Sequence, residues 1–96
     1  MNFIEEYKSK LRTPEEAAKA VKSGDWVEYG CGVTYPTLCD RALAARRDEL
    51  TDVKVRGMLC YGPVAVVESD PAQEHFTYNS WHLTGYERKL ADKGLC

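Results

Sequence analysis

The sequence predicts an α/β fold, a partial open parallel sheet with flanking helices. Three observations lead there. Short runs rich in Val, Tyr and Trp alternate with longer stretches of helical spacing. The resulting order, helix-helix-strand-helix-strand-loop-strand-helix, is that of strands joined by right-handed crossovers. The 96 residues show no repeat, low-complexity tract or linker, so they form one small unit.

The segment "NFIEEYKSKL" is polar with apolar side chains at Phe3, Ile4, Tyr7 and Leu11, which predicts a short surface helix. In "TPEEAAKAVKSGD", Thr13 suits the N-cap, Pro14 the first helical position and Glu16 the third position of a capping box. Gly24 suits its C-terminal end, and the two helices make a helical start over 2–23. A strand follows at "DWVEYG", where Trp26, Val27 and Tyr29 favour extension and Gly30 stops it. "CGVTYP" reads as a turn with Gly32 free to take positive φ. "TLCDRALAARRDEL" is helical, with Leu38, Ala42 and Ala45 on one face, Leu43 and Leu50 more loosely inward, and Arg41, Arg46, Arg47 and Asp48 toward water. "DVKVRGMLCYG" is the second strand and closes a βαβ unit over 25–60, with Gly57 marking a bulge or a close backbone approach. Residues 61–75 form a loop in which "VAVV" fits either a strand or a first helical turn after Pro63, and Asp70-Pro71 a turn. "HFTYNSWHL" is the third strand and "TGYERKLADKG" the final helix, a strand-helix unit over 76–94.

Thirteen basic and fifteen acidic residues leave a net charge of −2, without the basic stripe that nucleic acid demands. No apolar run approaches the roughly 20 residues of a membrane helix. "MNFIEEYKSKLR" has neither the basic nor the apolar region of a secretory signal, so a cytoplasmic location is expected. The four cysteines form no CxxC and no metal-ligand spacing with histidine, and are expected as free thiols; Cys39 and Cys60 read as small core residues.

Ligands of open α/β sheets sit beyond the carboxyl ends of the strands. Three loops qualify: "GCGVTYP", "YGPV" and the one opening at "NSWHLTG". The first carries Gly-x-Gly ahead of a helix, where backbone N–H groups can face an anion, but it lacks the third glycine of a dinucleotide site and also suits a plain tight turn. Cys31 lies there, near a helix start that favours a thiolate, with His75 and His82 as conceivable partners and an inert loop thiol as the alternative. Alternation puts Trp81 and His82 on opposite faces. Asn79 and Ser80 suit a carboxylate or a strand end equally well. Asp25 and Glu28 read as surface positions, Glu68 is the acid of the second loop region, and no paired-carboxylate motif emerges.

Three ordered stretches, "EEYKSKLRTPEEAAKAVKSGDWVEYG", "LCDRALAARRDELTDVKVRG" and "DPAQEHFTYNSWHLTGYERKL", resemble the start of the acetyl-CoA hydrolase/transferase family, most closely the butyryl-CoA:acetate CoA-transferases. The more specific pieces are "SGDWVEYG" and "HFTYNSWH" with the Gly and "ERK" that follow. The resemblance implies much longer proteins of two similar NagB/RpiA/CoA-transferase-like α/β domains. It implies covalent catalysis in which a glutamate carboxylate attacks an acyl-CoA thioester and later carries CoA, with no metal and no permanently bound cofactor. The coenzyme A thioester is itself the substrate and a short carboxylate the acceptor. It places the nucleophilic glutamate in the second half, so no catalytic residue is carried onto this chain, neither Glu68 nor Glu87. It implies that Gly30, Cys31, Gly32, Asn79, Trp81 and His82 line the substrate side of an acyl pocket. The chain is then expected to be an incomplete first domain, silent alone, that hides an open sheet edge against the missing half or in a homo-oligomer. A stand-alone acyl-CoA or small-acid binding module is the alternative, and a small Cys-dependent enzyme ranks behind it.

Overall fold

Alternation within the strands decides which way this sheet faces. In β2 (Val53–Met58), Val53, Val55 and Gly57 are buried while Lys54, Arg56 and Met58 are half-exposed. β1 (Trp26–Cys31) and β3 (Phe76–Ser80) flank it in the order β1-β2-β3, and both pairings are parallel. The register sets Val27 beside Val55, Val53 beside Phe76 and Val55 beside Tyr78. The structure is a computed structural model and describes residues 2–96.

The buried face carries Tyr29, Val53, Val55, Phe76 and Tyr78, packed against Leu43, Leu50, Val64, Val66, Val67 and Leu90. These come from α3 (Thr37–Ala45), α4 (Ala65–Glu68), α5 (Gly85–Asp92) and the connections next to them. The two crossovers bring α3 and α4 to one side of the sheet, and α5 returns to the same side after β3. The opposite face stays open, with Trp26, Glu28, Lys54, Arg56, Thr77, Asn79 and Trp81 exposed or half-exposed. On it the Arg56 guanidinium lies 5.6 Å from the Trp26 ring and 5.2 Å from the Trp81 ring, and its Nε donates to Glu28 at 2.7 Å.

α1 (Phe3–Lys10) buries none of its residues. Asn2 caps it, accepting from the Ile4 and Glu5 N–H groups at 3.1 and 3.2 Å, while Phe3, Ile4, Tyr7 and Leu11 stand in solvent. The second helix is shorter than its sequence predicts. α2 covers Pro14–Ala18, with the expected Thr13–Glu16 capping box, and ends there. The cause is long-range: the Arg46 guanidinium donates to the carbonyls of Ala18 and Val21. Gly24, at φ +88°, serves the turn into β1 rather than a helix end.

α3 is also rotated from the predicted orientation. Leu38 is 63% exposed, while Asp40, Ala42, Leu43 and Ala44 face inward, and Arg46 is half-buried over α2. The ambiguous "VAVV" is helical, as α4. Gly57 marks a close approach, because a Cβ there would lie 2.6 Å from the Tyr78 hydroxyl and 2.8 Å from the Cys60 sulfur. The register break falls in β1 instead, between Glu28 and Cys31.

Candidate functional site

Parallel strands place their three following loops at one edge, and each loop is built by a local device. Gly30 (φ +79°) turns the chain after β1, where a Cβ would sit 2.8 Å from the Thr34 Oγ1. That hydroxyl accepts from the Cys31 N–H at 2.9 Å and donates to the Cys31 carbonyl at 2.7 Å. Gly32 (φ +57°) opens a single 3-10 turn, Gly32–Thr34. The α-helix begins only at Thr37, so Cys31 is exposed and does not sit at a helix terminus.

The second loop leaves β2 through Leu59, held at φ +54°, a strained value for a branched side chain. Its N–H donates to the His82 carbonyl at 3.0 Å, and the Trp81 N–H donates to the Gly57 carbonyl at 3.3 Å, so the second and third loops are zipped together. Gly62 and a cis Gly62–Pro63 bond carry the chain into α4. The third loop ends on Thr84, the N-cap of α5, whose capping box uses Glu87.

Two carboxylates hold these loops from below. Asp40 is 1% exposed. Its Oδ1 accepts from the Tyr29 hydroxyl at 2.9 Å and the Val66 N–H at 3.2 Å; its Oδ2 accepts from the Tyr35 hydroxyl and from the Ala65 N–H at 2.6 Å. Glu87 is fully buried. Its Oε1 accepts from the N–H groups of Cys60 and Thr84 at 3.0 and 3.1 Å, and its Oε2 from the Tyr78 hydroxyl at 2.7 Å. Sequence reasoning missed both in this role. For Glu87 a signal was present, the Thr84-x-x-Glu87 spacing of a capping box ahead of an amphipathic helix.

Above the loops, a cavity of about 230 Å³ opens on the bare face of the sheet, lined by Glu28, Gly30, Cys31, Met58 and Trp81. It brings together three of the six residues expected at a pocket, Gly30, Cys31 and Trp81. Gly32 lies in the turn behind it, Asn79 sits on the open face opposite Arg56, and His82 is exposed at the loop tip. β3 stops at Ser80, short of Trp81 and His82, and both side chains are exposed. Glu28 and Met58 were not anticipated, although period-two alternation from Trp26 and Lys54 points them to this face.

No cysteine–histidine pair forms among the described residues. His75 precedes β3, at the far edge of the sheet, where its Nδ1 lies 2.8 Å from the Leu50 carbonyl. Asp70, Glu74 and His75 come within 4.8 Å of one another there. The Asp70 carboxylate is taken up by the N–H groups of Glu74, His75 and Phe76 at 3.0, 2.8 and 2.8 Å, as the acceptor of a turn leading into β3. Burial pushes the Cys60 thiol up, so it stays protonated and unreactive at neutral pH.

Burial also raises four tyrosines, and Asp40, Glu87 or Glu68 adds to it. Tyr86 is pushed up to about 12, and Tyr29, Tyr35 and Tyr78 rise further. Folded pKa values above the unfolded value near 10 give stability that is fully present below about pH 10 and lost as pH rises through the folded values. The chain is therefore expected to unfold cooperatively above about pH 10, with the phenolate absorbance of these four tyrosines appearing at the unfolding transition. Four smooth titrations inside a folded chain, by absorbance alongside circular dichroism, would contradict the buried hydroxyl network.

A one-sided parallel α/β layer with glycine-turned loops and a small cavity at its carboxyl edge has the layout in which open α/β domains place their ligands. Residues 1–96 match the family model of the acetyl-CoA hydrolase/transferase N-terminal domain, and the chain belongs to this family. It is 49% identical over 95 residues to the "Butyryl-CoA:acetate CoA-transferase" of Anaerostipes caccae, covering 99% of this chain and 21% of that protein. It is 54% identical over 93 residues to the "Probable butyrate:acetyl-CoA coenzyme A-transferase" of Syntrophomonas wolfei, covering 97% of this chain and 21% of that protein. The crystal structure of RipA from Yersinia pestis matches with a TM-score of 0.76 at 26% identity, over 98% of this chain and 22% of RipA. The chain thus spans about a fifth of the length of the relatives it matches.

Proposed function

We propose that this segment forms one wall of the acyl pocket of a CoA-transferase that moves CoA between a short acyl-CoA, such as butyryl-CoA, and acetate, and that it supplies no nucleophile. The observation that carries this reading is the cavity at the carboxyl edge, together with the commitment of the acids around it. Glu28 is paired with Arg56 at 2.7 Å, and Glu87 is buried with its oxygens taken by loop N–H groups and Tyr78. A carboxylate must be free to approach a thioester carbonyl to act as nucleophile.

The chemistry needs that free carboxylate from the remainder of the longer protein. It attacks the acyl carbonyl of the thioester and expels CoA thiolate, leaving an acyl-glutamyl anhydride. The thiolate then attacks the glutamyl carbonyl and releases the first acid. Acetate attacks the glutamyl carbonyl of that thioester and expels CoA thiolate, leaving an acetyl-glutamyl anhydride, and the thiolate attacks its acetyl carbonyl to form acetyl-CoA and free the glutamate carboxylate. Within this chain, Trp81 and Met58 offer apolar surface to a short acyl chain, and the turned backbone at Gly30 and Cys31 lies at the cavity rim. Gly32, Asn79 and His82 belong to the outer rim, where His82 can orient a carboxylate. CoA is a passing substrate here, and no resident cofactor is needed. Four free thiols suit the reducing cytoplasm.

The partner we assign is the rest of the transferase rather than a second copy. The open sheet face and the solvent-facing apolar side of α1 are the surfaces it would cover. Both tryptophans of the chain, Trp26 and Trp81, stand on that face. Adding the remainder of the Syntrophomonas relative in trans is expected to shift tryptophan emission to shorter wavelength and to confer butyryl-CoA:acetate exchange. Unchanged emission and no exchange, with CoA esters still raising the melting temperature of the chain alone, would favour a stand-alone binding module.

A further inference from the structure

The two buried carboxylates grip the loops in an overlapping pattern. Through Tyr35, Asp40 holds the loop after β1; through Ala65 and Val66 it holds the far end of the loop after β2. Through Cys60, Glu87 holds the near end of that same second loop; through Thr84 it holds the loop after β3. The sharing goes down to single atoms. Each Asp40 oxygen serves one donor from the β1 side and one from α4, and the Glu87 Oε1 serves one donor from each of its two loops. Opening either seam strands a buried acceptor away from water, which is costly. Neither residue lines the cavity.

We infer that Asp40 and Glu87 are positioning residues that couple the three carboxyl-edge loops into one cooperative unit, with residues 59–64 as the shared member. The second loop is then the element through which a disturbance at the third loop reaches the first. Its strained Leu59 is tied to the third loop by a bond of its own, the Leu59 N–H donating to the His82 carbonyl. The consequence for catalysis rests on the proposed transferase role. The coupling itself is a property of this chain and is tested without acyl-CoA.

The test is native-state amide hydrogen exchange on the 96-residue chain, followed at Ala65 and Val66, with Val55 as the core reference. Glu87→Ala removes no contact of Ala65 or Val66, which bind Asp40 on the other seam. Coupling predicts that it nevertheless speeds exchange at both by about 10-fold or more relative to Val55. Glu87→Gln keeps the shape and one acceptor oxygen, and should restore most of that protection. Should Glu87→Ala fail to fold, Tyr78→Phe removes one donor from Oε2 and should show the same pattern in weaker form. Faster exchange confined to Cys60 and Thr84, or an equal change at Val55, would overturn the coupling. In a chimera joining this chain to the remainder of a relative, Glu87→Ala should lower kcat more than it raises KM, and Glu87→Gln should recover most of the loss. A change in KM alone would contradict positioning, whereas an inactive chimera with coupled exchange would count only against the transferase reading.

Discussion

Asp40→Ala is expected to lower stability by about 4 kcal/mol, enough to leave much of the chain unfolded at room temperature. The substitution removes one small side chain from α3 but strands three donors, the Tyr29 hydroxyl and the N–H groups of Ala65 and Val66, and leaves the Tyr35 hydroxyl only the Pro63 carbonyl at 3.2 Å. Each unsatisfied buried donor costs roughly 1–3 kcal/mol, and partial entry of water keeps the total below the sum. α4 has four residues and no side-chain cap of its own, so Asp40 is its N-terminal support. Asp40→Asn keeps one oxygen acceptor and should fall between the two. Urea unfolding followed by circular dichroism measures the difference, and a loss below about 1 kcal/mol would mean that the network contributes little.

Gly62→Ala should cost about 3 kcal/mol. Gly62 has φ +61°, and a Cβ there would lie 2.5 Å from the Tyr86 Cδ1 and Cε1. The ring must then leave its place, and its hydroxyl must give up the Val64 N–H and Glu68, both at 3.0 Å. Gly85→Ala is the internal control. It has open space around it and lies within α5, so it should be neutral or slightly stabilising. Equal effects from the two alanines, in the same unfolding experiment, would remove the steric argument.

The sheet was legible because its strands carry their own signal. Val and aromatic side chains at period two, each run bounded by glycine or a turn, mark three strands, and the helical stretches between them make the pairing parallel. The Thr13–Glu16 capping box was equally local and equally legible. What escaped was set by contacts distant in sequence. Nothing near Ala18 announces that Arg46 takes its carbonyl and ends the helix. Nothing near Asp40 tells that two tyrosines and a helix start converge on it, and the buried side of α3 turns toward that acid rather than along the Leu38 stripe. The pocket was read in part for the same reason. Gly30, Cys31 and Trp81 follow from position at strand ends, whereas Glu28 and Met58 become neighbours only once β1 and β2 are in register.

In the proposed transferase, this segment shapes the pocket but does not attack the thioester. The direct measurement is mass spectrometry of the chimera and of the 96-residue chain after incubation with butyryl-CoA, locating any glutamyl-CoA adduct by peptide. An adduct is expected in the chimera, on a glutamate outside residues 1–96, and none on the chain by itself. A CoA adduct on Glu28, Glu87 or any other residue of this segment would contradict it.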